Sequence, residues 1–145
     1  MAIKLPSLGT DPSPYNEYPF RGYSAFSSHF TMNLPNNIRS DSYVKIEVLS
    51  SRGKRVAKSK TTIRRSMTNP EFNESFVFQM SESDLHEVTL VFSVISISKT
   101  RKKKEILGWF TMGKEANGLD EIDHWEEMVA TKEQKSTHFH VLSQA

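Results

Sequence analysis

After residue 42, apolar and polar positions alternate with a period of two through most of the chain. In 43–49, Val44, Ile46 and Val48 fall on one side of an extended segment and Lys45 and Glu47 on the other, the pattern of a half-buried strand. Ser51-Arg52-Gly53-Lys54 reads as a turn. Residues 56–63 read as a strand that carries basic side chains, and Asn69-Pro70 closes that region. Phe76, Phe78 and Met80 share a face over 75–80. Val88, Leu90, Phe92 and Val94 do so over 87–97, set against Thr89 and Ser93. Residues 106–112 and 137–142 supply further strands. The period changes once, over 119–129, where Ile122, Trp125, Met128 and Val129 recur at helical spacing with acids opposite. Short strands divided by turns, with one helix before the last, predict an all-β antiparallel sandwich.

The first 37 residues follow no such period. Five of the six prolines (Pro6, Pro12, Pro14, Pro19 and Pro35) lie there, together with Tyr15, Tyr18 and Tyr23 among Ser, Asn and Gly. This composition predicts an irregular N-terminal segment, 1–37, with one weak strand around 25–34, followed by a folded domain over 38–145. A chain of 145 residues suits one domain. No apolar run approaches the roughly 20 residues a membrane-spanning helix needs. The start, Met1-Ala2-Ile3-Lys4-Leu5-Pro6, is too short and too broken by proline for a signal peptide. With no cysteine there is neither disulfide nor thiol chemistry, which agrees with a cytosolic setting.

Charge changes the picture more than composition does. The net charge of +2 hides an uneven distribution. Residues 52–65 hold Arg52, Lys54, Arg55, Lys58, Lys60, Arg64 and Arg65 and no acid, and Arg101-Lys102-Lys103-Lys104 forms a second basic run, whereas 115–127 is acidic. Local patches therefore govern which partners are attracted.

Ordered motifs carry a family resemblance. Ser40-Asp41-Ser42-Tyr43-Val44-Lys45 is followed by the basic strand and then by Asn69-Pro70-Glu71-Phe72-Asn73-Glu74-Ser75-Phe76-Val77-Phe78. That order resembles the second C2 domain of the synaptotagmins. His124-Trp125-Glu126-Glu127-Met128 is similar to the helix before that domain's last strand, and Phe139-His140-Val141-Leu142 to its closing motif, with phenylalanine in place of tryptophan. Arg64-Arg65, the Lys102-Lys103-Lys104-Glu105 loop and Leu107-Gly108-Trp109 resemble the calcium-independent fourteen/sixteen branch. The likeness runs from about Ser40 to Leu142. It implies a C2-type β-sandwich that binds anionic phospholipid and phosphoinositide membranes in vesicle trafficking and exocytosis, at the cytoplasmic side of a vesicle or plasma membrane. Two opening strands of the family pattern have no counterpart in 1–37, where 25–34 replaces at most one. The chain is thus expected to be a shortened or N-terminally altered form, with unpaired edges where strands are missing.

Calcium in this family is held by acids from two loops. Asp41 matches one of them; Met32 to Arg39 contains no acid, and Ser96 and Ser98 stand where the third-loop aspartates fall, with Glu105 near the last position. Calcium takes about 6 to 8 oxygen ligands. Two carboxylates beside Arg101 to Lys104 do not supply them, and like charges about 4 Å apart at an effective dielectric of ~20 repel by about 4 kcal/mol. No cofactor and no calcium is therefore expected, and Asp41 is expected to cap a loop through backbone N–H groups.

Lys58, Lys60, Arg64, Arg65, Arg101, Lys102, Lys103 and Lys104 are the expected lipid- or partner-binding residues. Each basic side chain near an anionic leaflet contributes about 1 kcal/mol. Two other readings stay open. One is a protein-interaction module that self-associates as a homo-oligomer or binds acidic SNARE-type partners; the other is a solvated strand edge that discourages aggregation. Nucleic acid is not expected, because the patches lack an aromatic stacking platform. His138 and His140 sit two apart on a strand with no third ligand in view, and Trp109 and Trp125 read as core anchors. No nucleophile elbow, phosphate loop or framed carboxylate pair is present, so the chain is not expected to be an enzyme.

Overall fold

The computed structural model describes residues 2–5, 8–9, 24–31, 39–78, 82–98, 100–130 and 138–143. The elements in chain order are β1 (Ala2–Leu5), β2 (Leu8–Gly9), β3 (Ser24–Thr31), β4 (Ser40–Leu49), β5 (Arg55–Lys60), β6 (Arg64–Met67), β7 (Glu71–Phe78), α1 (Glu82–Leu85), β8 (Thr89–Ile97), β9 (Lys104–Gly113), α2 (Leu119–Ala130) and β10 (His138–Val141). All strand pairs are antiparallel. One sheet runs β5-β4-β8-β9, with β6 also paired to β4; a second runs β2-β3-β7; β1 pairs with β10.

Alternation sets the inner face of the large sheet. Val44, Ile46 and Val48 on β4 lie in register with Val94, Phe92 and Leu90 on β8, and all six are buried. Phe110 and Met112 extend the same layer from β9, and the Phe92 and Phe110 rings stack with centroids 4.6 Å apart. Phe72 from β7, Leu85 from α1, Trp125 from α2 and Leu142 close the core over this face. Burying a large apolar side chain contributes about 1.5–3 kcal/mol, so these rows dominate folding. Gly108 is needed for the close approach of the C-terminal segment, because a Cβ there would lie 2.7 Å from Leu142 Cβ.

One expectation holds and four are revised. Residues 25–34, expected to supply one strand, do so as β3, which pairs with β7 along its whole length. Two further strands, β1 and β2, come from the stretch expected to be irregular. The strand expected over 56–63 ends at Lys60. The Thr61 hydroxyl accepts the Val44 N–H at 3.0 Å, a bond that a continuing ladder would take from the backbone, while the Thr61 N–H donates to Val44 O at 2.9 Å. The chain then leaves and re-pairs as β6, with Arg64 opposite Ser42. Helix α2 is rolled relative to its expected face. Glu121, His124 and Trp125 are buried, whereas Ile122 is 38% exposed. Glu121 turns back over Gly118, where a Cβ would collide with its carboxylate, and Trp125 joins the core cluster on the same side of the helix. Trp109 lies on the outer row of β9, half-buried, instead of in the core. The side chains of Phe76, Phe78, Met80, Met128, His138 and His140 lie outside the described residues.

Among the described residues, Ser42 Oγ is a buried side-chain oxygen without a hydrogen-bond partner. Leaving a buried hydroxyl unpaired costs about 1–3 kcal/mol. Ser42→Ala is therefore expected to raise stability by about 1 kcal/mol in urea unfolding; a lower midpoint would show that the hydroxyl is satisfied.

Candidate functional site

The outer face of the large sheet gathers the charge. Outward positions alternate with the core row on β4, so Tyr43, Lys45 and Glu47 face away from the core. On β5, Lys60 lies opposite Lys45 and Lys58 opposite Glu47, both lysines exposed. Glu47 accepts from two neighbours, Lys45 Nζ at 3.2 Å and Arg55 Nη1 at 3.3 Å. Partial burial pushes its carboxyl pKa up, but hydrogen bonding and charge from Lys45, then Arg55, outweigh that and hold it below the ordinary carboxylate value. A lowered folded-state pKa contributes stability above the unfolded carboxylate value that is lost as pH falls through the folded one. Glu47→Gln is therefore expected to flatten the loss of stability on acidification below about pH 4.5. Unfolding midpoints over a pH series check this, and identical slopes for both proteins would refute it.

Toward the β8–β9 turn, the face becomes a pocket. Tyr43 forms its floor, with only 6% of the residue exposed. Lys60 Nζ stands 6.0 Å and Lys104 Nζ 5.8 Å from the centre of that ring. Each ammonium gains roughly 0.5–1 kcal/mol from the ring face, which offsets part of their mutual repulsion. Thr61, Thr62, Ile63, Arg65 and Ile97 line a cavity of about 550 Å³ with these three residues. Lys104 reaches it because it lies in register with Ile97, and Ile97 with Asp41.

Asp41 is buried beside this pocket. Its Oδ1 accepts the Ser66 N–H at 2.8 Å and its Oδ2 lies 3.7 Å from Arg65 Nη1, an exposed guanidinium. A backbone contact of this kind is what loop capping requires. Of the other positions matched to the family's acids, Ser96 hydrogen-bonds Ser40 through the two hydroxyls, Ser98 meets Thr100 Oγ1 at 3.3 Å, and Glu105 is exposed opposite Ser96. Among the described residues no cluster of three His, Asp or Glu side chains is placed to hold a metal ion.

The structure thus brings Lys60, Arg65 and Lys104 together from basic runs more than 35 residues apart in sequence. Lys58 extends the same face. Arg101, Lys102 and Lys103 are exposed in the turn beyond Lys104. Arg64 does not join them. Its Nε donates to Glu71 O at 2.9 Å and its Nη1 to Thr62 Oγ1 at 3.0 Å, and the guanidinium lies over Phe72, so this side chain braces β6 against β7. Sequence reasoning missed Tyr43, Ile63 and Ile97 as pocket residues. A cue existed for Tyr43 alone, an aromatic ring in the outward row with Lys45 and Glu47.

Among the described residues no helix is long and apolar enough to cross a membrane. The sequence pattern of the C2 domain family matches residues 28–128. Synaptotagmin-6 of Rattus norvegicus is 36% identical over 105 residues, covering 72% of this chain and 20% of that protein. Synaptotagmin-2 of Homo sapiens is 37% identical over 103 residues, covering 71% of this chain and 24% of that protein. The chain therefore spans about a fifth to a quarter of the length of these relatives. Among solved structures, the third C2 domain of KIAA1228 protein superposes with a TM-score of 0.65 at 20% identity, covering 99% of this chain and 87% of that one.

Proposed function

The chain belongs to the C2 domain family, and from that membership we propose that it is a calcium-independent module that binds anionic phospholipid membranes through the pocket over Tyr43. One observation carries this reading: Lys60 and Lys104 converge on one aromatic floor, with Arg65 beside them. Three cationic donors around a concave floor suit a phosphorylated headgroup better than a flat charged surface does. A cavity of about 550 Å³ falls within the range of small-ligand sites. A phosphoinositide is thus favoured over phosphatidylserine at equal membrane charge.

Calcium has little place in this arrangement. A calcium ion takes about 6 to 8 oxygens, whereas Asp41 already accepts the Ser66 amide and faces Arg65. Lys104 lies in the same cross-strand row as Asp41. Fixed cations therefore stand where a metal would bridge to lipid, and no step here runs through a metal. The synaptotagmin relatives make vesicle trafficking and exocytosis the expected setting, with the domain peripheral to the cytoplasmic side of a vesicle or plasma membrane. The His124-Trp125 helix and the run Lys102 to Glu105 favour a second-domain type near the fourteen/sixteen branch. The module binds; it is not an enzyme.

A second reading has its own observation. Among the described residues strand β5 is an edge of the large sheet, and Val56 is exposed there beside Lys58 and Lys60. Such an edge suits an acidic segment of another protein, SNARE-type, or a second copy of this chain.

Flotation with liposomes separates the readings. Equal flotation in chelator and in calcium is expected, stronger on phosphoinositide than on phosphatidylserine vesicles of matched charge. Flotation only with calcium would overturn calcium independence. Absence of flotation, with a dimer in sedimentation equilibrium, would move the function to the second reading.

A further inference from the structure

We propose that Thr100 is a phosphoacceptor for a basophilic serine/threonine kinase, and that its phosphate switches off the basic turn between β8 and β9. The second half rests on the membrane reading above; the first does not.

The ladder between β8 and β9 ends at the pair Ile97 and Lys104. The chain reverses beyond it, with the Ser98 N–H donating to Lys103 O at 2.9 Å, the Arg101 N–H donating to Ser98 Oγ at 3.3 Å, and Lys102 at a φ of 48°. Thr100 is exposed here, and so are Arg101, Lys102, Lys103 and Lys104, which follow it. Its described hydroxyl contact is a long one, to Ser98 Oγ at 3.3 Å.

Several other hydroxyls beside basic residues are less accessible or already engaged. Thr61 is buried and holds the Val44 amide. The Thr62 hydroxyl donates to Glu74 Oε2 at 3.1 Å and accepts from Arg64, while its amide is also tied to Glu74. Ser59 is half-buried within β5, and the Ser66 amide is held by Asp41. Thr100 combines exposure, a run of cations for an acidic kinase groove to read, and a place in a turn beyond the last ladder pair, Ile97 and Lys104.

In the transfer, Thr100 Oγ1 bonds to the γ-phosphorus of a nucleoside triphosphate and the β,γ-bridging P–O bond breaks. The hydroxyl proton passes to the kinase's base, and the nucleoside diphosphate leaves. The phosphothreonine carries about −1.5 to −2 at neutral pH and three acceptor oxygens. Beside Arg101 and Lys102, it takes up donors that would otherwise meet lipid phosphate. About two of the four positive charges of Arg101 to Lys104 are cancelled.

The test uses the full chain, ATP and the catalytic domain of a basophilic kinase. Close to one phosphate per chain is expected, mapped by mass spectrometry to Thr100 and lost in Thr100→Val, which melts like the parent. Phosphorylated chain is then floated with phosphatidylserine/phosphoinositide liposomes in chelator. Binding is expected to fall by about tenfold or more and to return after phosphatase treatment. Labelling that persists in Thr100→Val, or none at all, overturns the site. Full occupancy of Thr100 with unchanged flotation overturns the switch. If unmodified chain fails to float, the membrane reading falls by itself, while the mapped label still decides the phosphoacceptor.

Discussion

Alanine at Lys60, Arg65 and Lys104 together is expected to weaken binding to phosphoinositide vesicles by about two orders of magnitude while leaving the fold intact. Each basic side chain near an anionic leaflet contributes about 1 kcal/mol, and these three share one pocket, so a single headgroup loses all of them at once. The expected loss of about 3 kcal/mol corresponds to a factor of roughly 100–200. The fold is spared because all three side chains are exposed and none belongs to the core cluster, while the Ser66 amide still holds Asp41. Arg64→Ala is the informative contrast. Its guanidinium is spent on Glu71 O and Thr62 Oγ1, so its removal is expected to lower the melting temperature and leave lipid affinity within about threefold. Liposome titration at fixed salt reads both. Equal affinity losses for Arg64→Ala and for the triple variant would mean that the basic face acts as diffuse charge and that the pocket has no special part.

The second large effect concerns stability. Phe92→Ala is expected to cost about 4 kcal/mol. Phe92 is fully buried between Ile46 and Phe110 across three strands, and its ring stacks on Phe110. Truncation removes that packing and leaves a cavity that two strand backbones cannot collapse to fill. A domain of this size is stable by roughly 5–15 kcal/mol, so the melting temperature is expected to fall by roughly 10 °C or more. Ile122→Ala serves as the control, expected to cost about 0.5 kcal/mol or less, since Ile122 lies on the outward side of α2. Denaturant unfolding of both variants checks the pair. A small cost at Phe92, or a cost at Ile122 near that of Trp125→Ala, would place the core differently.

These outcomes bear on how the fold and the site could be read from the chain. The strands β4, β8 and β9, and which of their residues point inward, were legible because side-chain alternation is a property of the backbone of each strand alone. Val44, Ile46 and Val48 had to share a face whatever they packed against. The C2 motifs from Ser40 to Leu142 added the family by their order along the chain. Elements that depend on distant partners were less legible. Strands β1 and β2 lie in a proline-rich stretch without periodicity and become strands through pairing with β10 and β3. The exposed position of Ile122 goes with the burial of His124 and Trp125 against the sheet, which a count of apolar spacing does not contain.

The candidate site divides along the same line. The sequence by itself determined that two basic runs and a depleted set of acids exist, since these are matters of composition and spacing. Only the tertiary structure decided which cations meet. Antiparallel register places Lys104 in the row of Ile97 and Asp41, and brings Lys60 beside Tyr43 from the opposite strand. The Thr61 hydroxyl takes the Val44 amide where β5 ends, and the chain re-pairs as β6, with Arg64 on Glu71 O and Arg65 lining the pocket. Local periodicity cannot encode such a choice, because it is made by hydrogen bonds between strands that are neighbours in space and distant along the chain.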